Sequence, residues 1–181
     1  MKKIFICFTA SLALLSSLAM AKTEGNSIQL NLIQTTVEFS EGVSVEGDDI
    51  GFGVAAKHAI NLGNNFYIAP GAFYDHNNTE ITIDNNNKGS LDYSYGAGLD
   101  IGYDLNNQLS IFANVAWVEG RITAETNGIE SSVDSEEDYY YGLGLKYAID
   151  KQLSASLAYN TAEIDENLDI STIKLGVAYN F

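Results

Sequence analysis

Length, composition and charge limit what this chain can be. It has 181 residues, with 24 acidic and nine basic side chains, 16 glycines, 11 tyrosines, one proline and one cysteine. This composition is typical of a β-rich folded chain, and the strong negative charge excludes generic nucleic-acid binding, which needs a basic face.

The first predicted element is a secretory signal peptide over residues 1–21. Two lysines precede a short apolar run, and Ala19-Met20-Ala21 matches a cleavage site. We expect the mature chain to begin at Lys22 and to form one domain over residues 22–181. The two lysines leave with the signal, so seven basic residues face 24 acidic ones and the net charge becomes −17. The only cysteine also leaves, so no disulfide or cysteine metal site is expected.

Eight stretches of the mature chain alternate apolar and small or polar residues with the two-residue period of a β-strand. The clearest reads LDYSYGAGLDIGYDL, with a large apolar or aromatic residue at nearly every second place. The predicted strands cover residues 28–37, 50–60, 66–74, 91–105, 109–117, 139–147, 153–160 and 171–181.

Short and long connections alternate along the chain. Short turns are predicted at 61–65, 105–108 and 148–152. Long polar segments are predicted at 40–49, 75–90, 118–138 and 161–169. YDLNNQLS at 103–110 resembles YAIDKQLS at 147–154. The pattern indicates a repeated hairpin with all short turns at one end of the fold.

Three features predict that the apolar face meets lipid rather than a soluble core. The opposite face is rich in glycine, as the narrow inside of an eight-stranded barrel requires. It also carries isolated charges in mid-strand, which would be costly in lipid and which we expect to form structural ion pairs in the lumen. These predicted lumen charges are Lys57, Asp92, Asp100, Lys146 and Lys174.

The third feature is the aromatic residues, which concentrate toward the ends of the apolar stripes. Tyrosine and tryptophan combine an apolar body with a polar tip and suit a membrane–water boundary. The predicted interface aromatics are Tyr93, Tyr103, Trp117, Tyr139, Tyr147, Tyr159 and Tyr179.

A sheet in hydrocarbon must close, because every backbone polar group needs a partner. Pro70 counts against closure since it cannot donate to the ladder, and we expect a bulge there or a position near the membrane boundary. In the segment 122–133, Asn127-Gly128 predicts a hairpin turn that projects above the membrane. A two-residue turn there conflicts with pairing of Trp117 and Tyr139, so a bulge or a three-residue turn is predicted between residues 118 and 138.

The final stretch carries the most specific signal. Phe181 is preceded at every second place by apolar residues, and the set is Ile173, Leu175, Val177, Tyr179 and Phe181. The chain from 22 to 181 resembles the small eight-stranded outer-membrane barrels, namely the OmpA-type transmembrane domain, OmpX and the opacity-type surface proteins. The resemblance implies an all-β, antiparallel up-and-down transmembrane barrel in a Gram-negative outer membrane, with short periplasmic turns and long extracellular loops. It also implies that the final strand is similar to the signal read by the barrel-assembly machinery.

No residue constellation predicts catalysis. Two lipid A-modifying barrels, a deacylase and an acyltransferase, use histidine, but neither His58 nor His76 lies in the deacylase pattern His-x-Ser. We expect His58 in an interface ring and His76 in a loop, and Asp134-Ser135 is too common a pair to indicate the acyltransferase. No cofactor or metal site is predicted. The acidic cluster 134–138 is a better divalent-ion candidate than Asp84, Asn86 and Gly89, and a solvated loop explains it better still.

The predicted function is a structural or surface-interaction role, adhesin-like, with a plugged polar lumen. Two alternatives stay open, a narrow non-specific channel and a lipid A-modifying enzyme. We expect a monomer whose partners are outer-membrane lipid and lipopolysaccharide, the barrel-assembly machinery, and an extracellular partner bound through the loops. The projecting strands offer unpaired edges to such a partner.

Overall fold

The computed structural model describes residues 24–39, 43–46, 50–84, 87–126, 129–134, 138–165 and 168–181. All ten elements in these ranges are strands, and no helix among them is long and apolar enough to cross a bilayer. The predicted signal peptide lies outside the described residues. The strands are β1 Gly25–Phe39, β2 Val43–Glu46, β3 Gly51–Gly63, β4 Phe66–Asp84, β5 Asn87–Asp104, β6 Leu109–Thr126, β7 Ile129–Asp134, β8 Asp138–Ala148, β9 Leu153–Asp165 and β10 Leu168–Asn180.

The sheet closes on itself. Every pairing is antiparallel, and β1 pairs with β10 from Ser27 opposite Asn180 to Phe39 opposite Leu168. The short β2 continues along β1 beyond the end of its pairing with β3, and β7 likewise continues along β6 beyond β8. The architecture is therefore a closed eight-stranded up-and-down barrel with two strand extensions, as predicted.

The register gives the tilt of the strands. Following the paired residues once round the barrel from Tyr103 leads back to β5 at Tyr93, a shift of ten residues. Ten residues span about 33 Å along a strand, and eight strand spacings span about 38 Å across them, so the strands tilt by about 40°. Tyr103 and Tyr93 are then separated by about 25 Å along the barrel axis, the height of the apolar band of outer-membrane barrels.

The apolar stripes face outward. Leu30 is 66% exposed and Leu143 is 70% exposed, whereas the inward-facing Ile33 is 1% exposed. This direction agrees with the prediction of a lipid-facing apolar surface. In the first strand, which carries apolar residues on both faces, Ile28, Leu30 and Leu32 point outward and Ile33 fills the lumen.

Several segments predicted as long loops are strands instead. β4 and β5 continue until Asp84 lies opposite Asn87, and β6 and β7 continue until Thr126 lies opposite Ile129. The segments TEITID and ITAETNGIESSV have the two-residue alternation of strands, so they can pair with the adjacent strands beyond the apolar band. His76 is consequently a residue of β4 rather than of a loop.

The predicted register conflict on β6 is real. Trp117 lies opposite Tyr139, as expected, and the pairing of Thr126 with Ile129 is that of a two-residue turn. The two registers differ by one residue. Paired positions add up to 255 where Arg121 lies opposite Asp134 and to 256 where Val118 lies opposite Asp138, so the extra residue falls in the predicted interval.

The bulge expected at Pro70 is wrong. The register of β3 with β4 is the same before and after Pro70, with Lys57 opposite Gly71 and Ile60 opposite Ile68. The ladder between β3 and β4 skips two positions instead, because proline has no N–H to donate. On the side of β4 that pairs with β5, Pro70 lies opposite Leu99 in an unbroken register.

Candidate functional site

Two ion pairs cross the lumen. Lys57 Nζ lies 2.5 Å from Asp100 Oδ2, and Lys174 Nζ lies 2.5 Å from Asp75 Oδ2. The second pair is the more buried. The side chains of Lys174 and Asp75 are 12% and 3% exposed, whereas those of Lys57 and Asp100 are 24% and 13% exposed. The first pair joins β3 to β5 and the second joins β10 to β4, and both lie in a space largely closed to solvent.

Aromatic rings surround the ammonium groups. Lys174 Nζ lies 4.8 Å from the ring centroid of Phe73 and 5.1 Å from that of Tyr140, and these two rings meet edge to face. Lys57 Nζ lies 5.6 Å from the ring centroid of Phe112. Each cation thus receives a carboxylate and at least one aromatic face.

Glycines of the neighbouring strands make room for these rings. Phe73 lies directly opposite Gly96, Phe112 opposite Gly144, and Tyr67 opposite Gly102. A Cβ atom on any of the three glycines would collide with the facing ring. These inward positions are glycine because an aromatic ring of the partner strand occupies the space that a side chain would need.

Lys146 differs from the other two lumen lysines. Its cross-strand neighbours are Ser110 and Ser156, and among the described residues no carboxylate lies within 4.0 Å of it. Ser110 Oγ donates a hydrogen bond of 2.6 Å to Asp104 Oδ1. Asp100 pairs with Lys57 and Asp75 pairs with Lys174, so Lys146 and Lys174 do not share Asp100.

Asp92 is a correction to the predicted lumen set. The register of β5 with β6 shifts between Leu91 and Tyr93, which leaves Asp92 as an extra residue. Its carboxylate accepts hydrogen bonds from Ser90 Oγ and Thr123 Oγ1, and the Thr123 hydroxyl also contacts the exposed Ser132. Simple alternation places Asp92 beside Ser94 and Asp100, but the bulge turns it toward a different face.

Asp75 is the functional residue that sequence reasoning missed. It lies in the segment 75–90, which was predicted as a loop, whereas β4 continues through it. The two-residue alternation of the strand could have revealed Asp75, since it follows Gly71 and Phe73 at every second place on the inward side. Its partner Lys174 is 99 positions away, so only closure of the barrel brings them together.

The space left in the lumen is divided. One cavity of about 50 Å³ lies around Lys174, Tyr140 and Asn114, and a second of about 30 Å³ lies around Tyr67 and Lys146. The pair formed by Lys57 and Asp100 borders both. Asp75 Oδ1 and Asn114 Oδ1 are buried and have no hydrogen-bond partner among the described residues, so a few waters are expected in these cavities.

Most of the predicted interface aromatics lie toward the two ends of the outer surface. Tyr103 packs edge to face on Phe66 near the short turns, and Tyr179 stacks on Phe181 at the same end. Tyr147 lies opposite Leu109 there. Tyr93, Trp117 and Tyr139 lie toward the long-loop end.

Tyr159 lies nearer mid-height than predicted. It pairs with Leu143 and Ile173, about 14 Å above Tyr103 along the axis. Its hydroxyl contacts Ser171 Oγ at 2.9 Å, so its polar tip reaches toward the long-loop end.

The two histidines hold separate places. His58 is exposed and its Nδ1 lies 2.9 Å from Asn26 Oδ1 near the short turns, whereas His76 lies opposite Tyr93 near the other end. Within the described part of the chain, no group of three or more His, Cys, Asp or Glu side chains can hold a metal. The side chains of Asp84, Asn86 and residues 134–138 lie outside the described set.

Comparison with known structures gives the same barrel. Ail, the attachment invasion locus protein of Yersinia pestis, is 17% identical with a TM-score of 0.66, over 87% of this chain and 99% of Ail. Neisserial surface protein A is 18% identical with a TM-score of 0.61, over 87% of this chain and 97% of its own. The N-terminal barrel domain of Pseudomonas aeruginosa OprF is 15% identical with a TM-score of 0.51, over 87% of this chain and 99% of that domain.

A search of curated protein sequences found no match. The model of the family described as "Outer membrane protein beta-barrel domain" matches residues 7–181. The closed antiparallel barrel and its outward apolar band agree with that description. The chain therefore belongs to the outer membrane protein β-barrel family and is a multi-pass protein of the Gram-negative outer membrane.

Proposed function

We propose that this protein has a structural and surface-interaction role, adhesin-like, with a filled lumen and an extracellular partner bound by its projecting strands. The observation that carries the proposal is the sheet formed by β4, β5, β6 and β7 beyond the apolar band. Thr126 lies five residues beyond Arg121 on the same strand, about 12 Å further along the barrel axis. Among the described residues β7 pairs with β6 alone, so its other edge is available to an added strand.

The test shortens this hairpin without changing its register. Removing residues 124–126 and 129–131 leaves Asn127-Gly128 between Thr123 and Ser132, which already lie opposite each other. We expect cells carrying this variant to adhere less to epithelial layers and immobilised matrix protein than cells carrying the parent. Heat-modifiable gel migration checks that the barrel is still closed. Unchanged adherence with an intact barrel would remove the basis of the proposal.

The filled lumen is supported by the two crossing ion pairs and by the small cavities between them. We expect no stable single-channel conductance in planar bilayers. The competing function is a narrow channel, and a stable, sizeable conductance would favour it. We also propose that the protein is not an enzyme, so its expression is expected to leave the mass of lipid A unchanged.

The final strand supports a proposal about assembly. Its outward residues are all about half exposed or more, and they are Ile173, Leu175, Val177, Tyr179 and Phe181. We propose that the barrel-assembly machinery reads this strand after removal of residues 1–21, and that the product is a monomer. Phe181→Ala should lower the amount of folded barrel in the membrane, whereas Leu105→Ala, an exposed short-turn residue, should not. Mass analysis of the mature chain tests the start at Lys22.

A further inference from the structure

We propose that one acyl chain of a phospholipid from the periplasmic leaflet lies in a groove on the outward surface of β5, β6, β8 and β9. We call this feature the acyl groove. Its volume is about 660 Å³, and its main lining residues are Phe66, Tyr103, Ile111, Ala113, Leu143 and Tyr159. The proposal rests on the outer-membrane location, and it does not depend on an extracellular partner or on the state of the lumen.

Ala113 forms the floor of the groove. Among the described lining residues it is the only outward-facing one with a small side chain. In the row across the strands it lies between Ile101 and Leu143. Leu143 is 70% exposed, the largest exposure of any large apolar side chain in the described part of the chain. A methyl group between two longer side chains leaves a depression, because its neighbours project further from the sheet.

The groove runs close to the membrane normal. Leu157 lies three strand pairs from Tyr103 along the hydrogen-bonding direction, and Tyr159 is two residues further along β9. With the strand tilt of about 40°, Tyr159 lies about 14 Å above Tyr103 and only about 7 Å to the side of it. The groove is therefore inclined by about 25° to the normal, less than the strands themselves, and has the direction of a lipid chain.

The height of the groove matches one leaflet. Its lower end lies at the short-turn boundary, where the rings of Phe66 and Tyr103 pack edge to face with centroids 4.9 Å apart. Its upper wall is Tyr159, whose hydroxyl contacts Ser171 Oγ at 2.9 Å and so points away from the groove. The apolar band of an outer-membrane barrel is about 25 Å tall, so one leaflet takes about 12 Å, close to the rise from Tyr103 to Tyr159.

The lining selects a hydrocarbon chain. Between Tyr103 and Tyr159 the described lining residues carry no side-chain hydrogen-bond donor or acceptor. A saturated chain needs none. Within a bilayer the chain gains nothing from leaving water, so its preference for the groove depends on van der Waals contact, which increases where atoms surround the chain on two sides. The groove is continuous with the lipid-facing surface, so a neighbouring phospholipid reaches it by lateral diffusion.

The experiment maps where acyl chains contact the barrel. The full-length mature protein is refolded into phospholipid vesicles that contain a small fraction of phosphatidylethanolamine with a photoreactive group halfway along one acyl chain. After illumination, mass spectrometry of the peptides locates the attached lipid. We expect attachment at Leu143 to exceed attachment at Leu30, which is 66% exposed on β1 outside the groove. Both residues lie about 11 Å above Tyr103 along the axis, so depth in the membrane is matched.

Filling the floor should release the chain. We expect Ala113→Leu to lower attachment at Leu143 about fourfold, equivalent to about 0.8 kcal/mol or roughly five heavy-atom contacts. Ala56→Leu is the matched control, because Ala56 is also exposed and outward-facing but lies outside the groove. Ala56 and Ala113 lie about 9 Å and about 8 Å above Tyr103 along the axis, so the same change is made at nearly the same depth.

Three outcomes would overturn the proposal. Equal attachment at Leu143 and Leu30 would indicate ordinary lipid contact over the whole surface. An equal effect of Ala113→Leu and Ala56→Leu would indicate a general effect of the added side chain. A dimer in the vesicles that Ala113→Leu dissociates would indicate that a second copy occupies the groove. Heat-modifiable migration confirms that each variant is folded, and cell adherence and conductance of the same variants separate a failure of this proposal from a failure of the proposed function.

Discussion

Replacing Lys174 with methionine is the sharpest test of how the lumen is stabilised. The change leaves the Asp75 carboxylate without its ion-pair partner, although that side chain is only 3% exposed and its Oδ1 already has no hydrogen bond among the described residues. Breaking a buried pair by removing one partner costs about 3–5 kcal/mol. Lys174 itself borders the 50 Å³ cavity, so its replacement leaves the carboxylate near a space that can hold water, and we expect the lower end, about 3 kcal/mol.

A double variant separates the destabilisation caused by an unpaired buried charge from the contribution of the ion pair to the free energy of unfolding. Asp75→Asn combined with Lys174→Met removes both charges, and we expect it to recover most of the lost stability. Lys57→Met should cost less than Lys174→Met, because Lys57 and Asp100 are more exposed and better solvated.

The assay is reversible urea unfolding of the barrel in lipid vesicles, followed by the fluorescence of Trp117, the only tryptophan. The free energy of unfolding of each variant is compared with that of the parent. If Lys174→Met unfolds like the parent, or if the double variant is as unstable as the single one, the reasoning about buried charge is refuted.

Three further predictions concern local geometry and use the same unfolding assay. Gly102→Ala should destabilise the barrel by about 1–3 kcal/mol because its new Cβ meets the ring of Tyr67, whereas Gly89→Ala, whose Cβ meets nothing within 4 Å, should be close to neutral. Asp150→Ala should cost about 0.5–1.5 kcal/mol, because its carboxylate accepts two backbone N–H bonds in the last short turn, and Asp150→Asn should restore most of this. Asn65→Val should cost about 1–2 kcal/mol since the backbone has φ 67° there, and Asn65→Gly should be tolerated.

The repeated hairpin shows how much local sequence specifies. Asn106 Oδ1 accepts hydrogen bonds from the backbone N–H groups of Gln108 and Leu109, and Asp150 Oδ1 accepts the same two bonds from Gln152 and Leu153. The similarity of YDLNNQLS and YAIDKQLS is thus a similarity of turn chemistry. Side chains that bond their own backbone need no distant partner, so such turns are readable from sequence.

Strand faces were also predictable, and strand ends were not. Alternation distinguishes the two faces wherever it is unbroken, which is why Leu143 and Leu175 point outward as expected. It says little about where a strand stops, since polar strands beyond the membrane look like loops. Asp75 was missed for that reason, and Asp92 was misplaced because a bulge reverses the phase of the residues beyond it.

The sequence by itself determined the period, the outward apolar stripe, the short turns and the assignment of Lys57, Asp100, Lys146 and Lys174 to the inner face. Only the tertiary structure decided which charges meet. Pairing of Lys174 with Asp75 depends on the registers of β10 with β1, of β1 with β3 and of β3 with β4, and the first of these closes the barrel. Local patterns act over a few residues and carry no record of these registers, so this contact forms only when the last strand joins the first.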